Sequence, residues 1–196
     1  AGTWGGGIFN LWGELNILNC NLDSNAAGFD GGGVYVWSTD VVVESTSFTN
    51  NEAGIASNHW NSGGGMYISN CDSVAMSEDS EFNGNTSSGL GGGVYCEGTS
   101  DLSIDQTNFL ENTSHRGGGF FVRGTNALFT SCEFDSNEAT AIGGAGYCYD
   151  NTSSEYYGCT FTNNTSQSVG GALAFTYLCS TSLFNCDLLD NNTNGV

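Results

Sequence analysis

One pattern recurs along the whole chain: a glycine run, then an aromatic residue or leucine fifteen to seventeen residues on, then asparagine three residues after that. The stretch "SFTNNEAG" at 47–54 returns as "EFNGNTSS", "NFLENTSH", "EFDSNEAT" and "TFTNNTSQ". The glycine runs end at Gly7, Gly33, Gly65, Gly93, Gly119, Ala145 and Ala172, spaced 26, 32, 28, 26, 26 and 27 residues apart. Each copy closes at Leu22, Phe48, Phe82, Phe109, Phe134, Phe161 or Leu188, followed by Asn25, Asn51, Asn85, Asn112, Asn137, Asn164 or Asn191. A fixed period of this length decides the architecture before any local reading does.

Within a copy, short segments alternate apolar and polar with period two, as in "GGGVYVW", "VVVES" and "TSFTN". They read as strands. A unit this short cannot bury its own apolar face, and stacking each copy on the last gives parallel in-register sheets around one continuous core. The expected fold is all-β, a parallel β-helix of right-handed sense, with about seven coils of 26–32 residues and three short strands per coil. At about 4.8 Å per strand spacing the rod is roughly 30 to 35 Å long. Residues 1–196 read as a single repeat domain, either a segment or a protomer of a longer assembly. In this frame the aromatic is the last inward residue of the third strand. The asparagine sits in the turn beyond, tolerating unusual backbone angles and bonding to the asparagines one coil above and below.

The pairing of "GGGV", "GGGM", "GGGF" and "GGAL" with "FTNN", "FNGN", "FLEN" and "FDSN" resembles the repeat of the chlamydial polymorphic outer membrane proteins and similar β-helical surface proteins. The resemblance covers essentially the whole chain and implies a secreted adhesin, the passenger of an autotransporter. A C-terminal barrel, a cap and a signal peptide are not part of this sequence, so export by that route is not implied.

Composition narrows the function. Two basic residues, Arg116 and Arg123, stand against 21 acidic ones, giving a net charge of −19. Phosphate neutralisation needs many cations, so nucleic acid is excluded as a partner. The acidic residues are dispersed rather than gathered in blocks, which argues against a disordered tail. Eight cysteines and six N-x-S/T sequons point to an oxidising, extracellular setting. The lack of C-x-x-C removes the usual zinc and thioredoxin spacings, and no apolar run approaches the roughly 20 residues of a membrane span. Starting at Ala1, the chain reads as processed or excerpted. No cofactor is expected. Ca²⁺, the ion that such acidity would attract, finds no D-x-D-x-D loop.

Two residues past each glycine run lies a column of Phe9, Tyr35, Tyr67, Tyr95, Phe121, Tyr147 and Ala174. Parity with Ser69, Glu97 and Arg123 places it on the outer face as an exposed aromatic stripe, suited to a glycan or a host surface protein, or else to stacking on itself. The longer second unit adds a loop with His59 and Trp60, a second candidate contact. Enzymes on this fold need close acidic pairs and basic groups. Here Glu78 and Asp79 are the one adjacent acidic pair, so catalysis on a polysaccharide ranks below a structural or binding role.

Sequons at Asn85, Asn112, Asn164 and Asn191 coincide with the ladder column, whereas Asn151 and Asn163 lie off it and are the expected glycan acceptors. Coil-to-coil disulfides are expected for Cys71–Cys96 and Cys148–Cys179, with Cys20 a buried thiol unless it pairs between chains. Both ends fall at one phase of the repeat, with no amphipathic helix or charged cap. The first expectation for function is therefore an extracellular structural β-helix that stacks head to tail on copies of itself into a surface fibre. The alternative is an adhesin segment that grips its partner through the tyrosine stripe.

Overall fold

The computed structural model describes residues 3–54 and 61–194. Those residues form 26 strands, and every pairing between strands is parallel. They make three sheets, as expected, of 12, seven and seven strands.

Register follows the repeat. Val34 faces Ile8 on one side and Met66 on the other, and the column continues through Val94, Phe120, Gly146 and Leu173. A second inward column runs Val36, Ile68, Cys96, Val122, Cys148, Phe175. The closing aromatics pair Leu22, Phe48, Phe82, Phe109, Phe134, Phe161 and Leu188 in order. Their rings stack nearly parallel, from Phe48–Phe82 at 4.5 Å to Phe134–Phe161 at 4.7 Å. Offset-stacked rings gain contact beyond their buried area, and the core repeats that gain in each coil.

Sheet membership departs from the simplest reading. The first and second segments of each copy belong to one sheet; in Ile8–Leu18 and Val34–Glu44 they are a single strand of 11 residues. The third sheet is built instead from brief strands after the ladder asparagine, such as Ala26–Ala27, Glu52–Ala53 and Thr86–Ser87. Two residues cannot display a period, so the sequence gives no sign of them.

The glycine runs have a positional logic. The first glycine of each run has positive φ, 62° at Gly91 and 66° at Gly117 for example, which L residues rarely adopt. At the second, the backbone of the next coil comes so close that a Cβ on Gly118 would run into the Gly144 carbonyl oxygen and, at 2.6 Å, the Glu138 oxygen. The third faces the ladder, and here Ala145 and Ala172 are accommodated.

The ladder asparagines correct one detail of the sequence reading. The left-handed backbone belongs to the residue before each of them: Ser24, Asn50, Gly84, Glu111, Ser136, Asn163 and Asp190. The asparagines themselves work through their side chains. Asn112 Nδ2 donates to Asn137 Oδ1 at 3.0 Å and to Phe82 O at 2.8 Å, and its Oδ1 accepts from the Asn85 Nδ2 and backbone N, both at 3.0 Å. The same bonds link Asn25 through Asn51, Asn85, Asn112, Asn137 and Asn164 to Asn191.

Candidate functional site

Strand register confirms the outer aromatic column: Phe9, Tyr35, Tyr67, Tyr95, Phe121, Tyr147 and Ala174 pair in sequence. The expectation that it forms an exposed stripe is overturned. Tyr95, Phe121 and Tyr147 are only 6%, 4% and 3% exposed, Tyr35 and Tyr67 are half-buried, and Phe9 alone of the aromatics is open. The tight glycine corner is the cause: it brings the residue before each run, Leu90 or Ile142, down against the column as a second small apolar cluster. Inside it the rings stack on one another, Tyr35–Tyr67 at 4.8 Å, Tyr67–Tyr95 at 4.9 Å and Tyr95–Phe121 at 5.4 Å. His59 and Trp60, the other binding candidates, lie outside the described residues.

Polar groups rim this corner. The Tyr67 hydroxyl donates to Glu97 Oε1 at 3.3 Å, and burial, reinforced by the Glu97 carboxylate, pushes the Tyr67 and Tyr95 hydroxyls well above the usual tyrosine range. Arg123 donates from Nε and an Nη to Asp150 Oδ2 at 3.3 and 3.2 Å, lies 3.9 Å from Glu97, and sits over the Tyr149 ring at 5.7 Å. The bond to Asp150 raises its already high pKa further. Arg123 is about half exposed, at 48%, so these pairs orient its side chain more than they stabilise the fold. Arg116 and Arg123, the two basic residues of the chain, both line one recess of about 190 Å³ with Leu90, Tyr95, Phe121 and Tyr149. A neighbouring polar hollow around Gly98, Gly124, Asp150 and Asn151 shares Arg123 with it. The sequence does not flag this arrangement, because the column before the glycine runs mixes Asp30, Ser62, Leu90, Arg116, Ile142 and Val169 without a pattern.

The register and the corner glycines together describe one repeat from end to end. A family model for the right-handed β-helix region matches residues 6–154 and 92–196. The chain belongs to that family. Comparison with curated proteins and with solved structures gives no match. The β-helix family includes enzymes of the pectate lyase type as well as proteins without activity, so membership leaves structural, binding and catalytic roles to be argued from the site. The likeness to the chlamydial repeats stays at the level of the glycine and F-x-x-N motifs.

The cysteine expectations are corrected. All eight are free thiols, so neither Cys71–Cys96 nor Cys148–Cys179 is formed. Register explains it: the neighbours of Cys96 are Ile68 and Val122, while Cys71 belongs to a corner column with Thr99, Thr125, Thr152 and Cys179. Burial pushes the Cys96 and Cys148 thiols up to about 12. Cys20, expected buried, is exposed, because it sits in the first coil and nothing among the described residues covers that side; its Sγ donates to Leu18 O at 3.2 Å. Among the described residues no group of three or more His, Cys, Asp or Glu is arranged to hold a metal ion, and no helix is long and apolar enough to cross a membrane.

Sequon geometry divides as its columns do. Asn85, Asn112 and Asn164 are fully buried with both side-chain atoms bonded, whereas Asn151 and Asn163 are exposed. Mass spectrometry of glycopeptides from a eukaryotic secretion host is expected to find sugar at Asn151 or Asn163 and none at Asn85 or Asn112. Heavy occupancy of Asn112 in folded protein is incompatible with an inward ladder.

Proposed function

We propose that this β-helix is an extracellular structural rod, a building block of a surface fibre that lengthens by taking a further coil on its end. The observation that carries the reading is the use made of the outer aromatic column: rings that would serve a ligand are buried and stacked on each other, so stiffness along the axis is what the repeat supplies. Leu173, Phe175, Leu183 and Leu188, all in inward columns, line a depression open to solvent, with Leu183 39% and Leu188 49% exposed. Ile8, Ile17 and Leu22 of the first coil head the columns that end at Leu173, Leu183 and Leu188, whereas Phe175 stands in the column of Asn10. A parallel coil laid across them restores both the strand pairing and the core contacts found between coils elsewhere. Head-to-tail stacking of copies is heterologous and does not close on itself.

Charge sets the conditions. Net charge of −19 opposes end-to-end contact, and salt screens it. Light scattering and negative-stain microscopy of 1–196 are expected to show rods that lengthen as ionic strength rises, with a subunit repeat of about seven strand spacings, roughly 34 Å. A monodisperse monomer at high protein and salt concentrations overturns self-assembly.

The adhesin reading keeps one observation of its own, the recess where both arginines meet Tyr149. Glycan-array binding that disappears with Arg123→Ala decides in its favour. Catalysis stands behind both, since Glu97 and Asp150, the carboxylates nearest this recess, are held by Arg123.

A further inference from the structure

The inward column two residues before each closing aromatic reads Cys20, Thr46, Ser80, Thr107, Cys132, Cys159, Cys186. Its last three members are thiols in consecutive coils. Strand pairing keeps them in step: Thr160 N donates to Cys132 O, and Asp187 N to Cys159 O, both at 3.0 Å. The three side chains adopt one orientation. Each donates to the carbonyl two residues back and to one in the preceding coil, Cys132 to Thr130 and Ile104, Cys159 to Tyr157 and Phe129, Cys186 to Phe184 and Tyr156. Register neighbours on parallel strands have Cα atoms about 4.8 Å apart, inside the span that a disulfide bridges. Among the described residues no other two cysteines share a column in neighbouring coils.

We propose that this column is a thiol–disulfide exchange site in which Cys132 and Cys159 close a disulfide between consecutive coils, with Cys186 the thiol that an outside disulfide meets first. The three differ in the way this requires: Cys132 and Cys159 are buried, and Cys186 is half-buried until a further coil covers it, so exchange precedes stacking. The oxidant is a low-molecular-weight disulfide, RSSR. The Cys186 thiolate attacks one of its sulfurs and releases RS⁻, leaving a mixed disulfide at Cys186. Cys159 then attacks the Cys186 sulfur and expels the second RS⁻. Finally Cys132 attacks the Cys159 sulfur, and Cys186 leaves as thiolate and regains a proton. Two protein thiols are oxidised by two electrons, their protons pass to the two RS⁻, and RSSR becomes two RSH. Proximity of the two buried thiols pulls Cys159 down and pushes Cys132 up, so Cys159 ionises before Cys132, as its central attacking position requires.

Peptide mapping of the reduced full chain after incubation with oxidised glutathione tests this. The chain has no lysine and two arginines, so chymotrypsin replaces trypsin. The expected product links the Cys132 and Cys159 peptides and leaves Cys186 open to alkylation. Cys186→Ser is expected to slow oxidation of the native protein on the order of tenfold, yet to form the same bridge when refolded in that redox buffer. Cys159→Ser is expected to leave Cys132 and Cys186 unlinked. The proposal is overturned if Cys132 and Cys159 stay alkylatable at equilibrium, if the bridge found is Cys71–Cys96 or Cys148–Cys179, or if Cys186→Ser oxidises at the wild-type rate.

Discussion

Asn112→Ala is expected to destabilise the β-helix by about 2–4 kcal/mol, because it orphans one buried backbone N–H at about 1–3 kcal/mol and forfeits side-chain bonds besides. The Asn85 backbone N–H loses its Oδ1 acceptor at 3.0 Å, and the Phe82 carbonyl loses the Nδ2 donor at 2.8 Å but keeps its place in the strand ladder with Phe109 and Leu110. Both lie in the interior, where water does not replace the missing partner. Asn85 Nδ2 keeps its bond to Phe48 O, and Asn137 Oδ1 still accepts from the residue-112 backbone, so the damage is confined to those two groups. Urea denaturation measures it as a fall in midpoint at unchanged slope. The exposed Ser103→Ala, in a strand with ordinary backbone angles, is the control and is expected to stay within about 0.5 kcal/mol of wild type. A loss below about 1 kcal/mol for Asn112→Ala means that the coils are held by backbone pairing alone. Asn112→Asp sharpens the test. It retains the acceptor for Asn85 but turns a carboxylate toward the Phe82 carbonyl and Asn137 Oδ1, so its folded pKa lies above its unfolded value. The folded state then binds the proton more tightly, and the variant regains stability as pH falls through that folded pKa.

The aromatic and asparagine columns are legible in the sequence because each is the same residue type at the same phase, and a parallel stack converts phase directly into contact. Phe82 and Phe109 need no further information to find each other. Legibility ends where structure depends on what lies across a corner. Tyr95 and Phe121 alternate as outer residues should, and parity reads them as exposed; Leu90, four residues before Val94, covers them only because Gly91 turns the chain back sharply. The disulfide expectation misses for a related reason. Being on or just past one strand is not the same as sharing a column, and Cys71 and Cys96 are separated by that distinction. Cys132 and Cys159, which do share one, stand at a constant offset from Phe134 and Phe161, so the same counting that found the ladder also finds them.

Gly146→Val tests how far that counting can be trusted, and is expected to cost about 3 kcal/mol, the upper range for overpacking a core. The inward column at this position reads Val34, Met66, Val94, Phe120, Gly146, Leu173, so a valine looks innocuous by pattern. Packing says otherwise. A Cβ at residue 146 would collide with the far end of the Phe120 ring, which is fully buried and fixed 4.7 Å from Phe129 and 5.3 Å from Phe134. Phe120 fills its own place and part of the next coil's, and the glycine is its complement. Phe120→Val alone leaves that volume empty and is expected to cost about 3 kcal/mol. Together the two changes put valine beside valine, as Val34 and Val94 already sit in this column, each beside Met66. The double variant is therefore expected to recover on the order of 2 kcal/mol relative to the sum of the single changes, a coupling that a double-mutant cycle in urea reads directly. Additive losses would mean that the Phe120 ring yields elsewhere, and that the glycine at 146 answers to the backbone of its strand rather than to its neighbour across the coil.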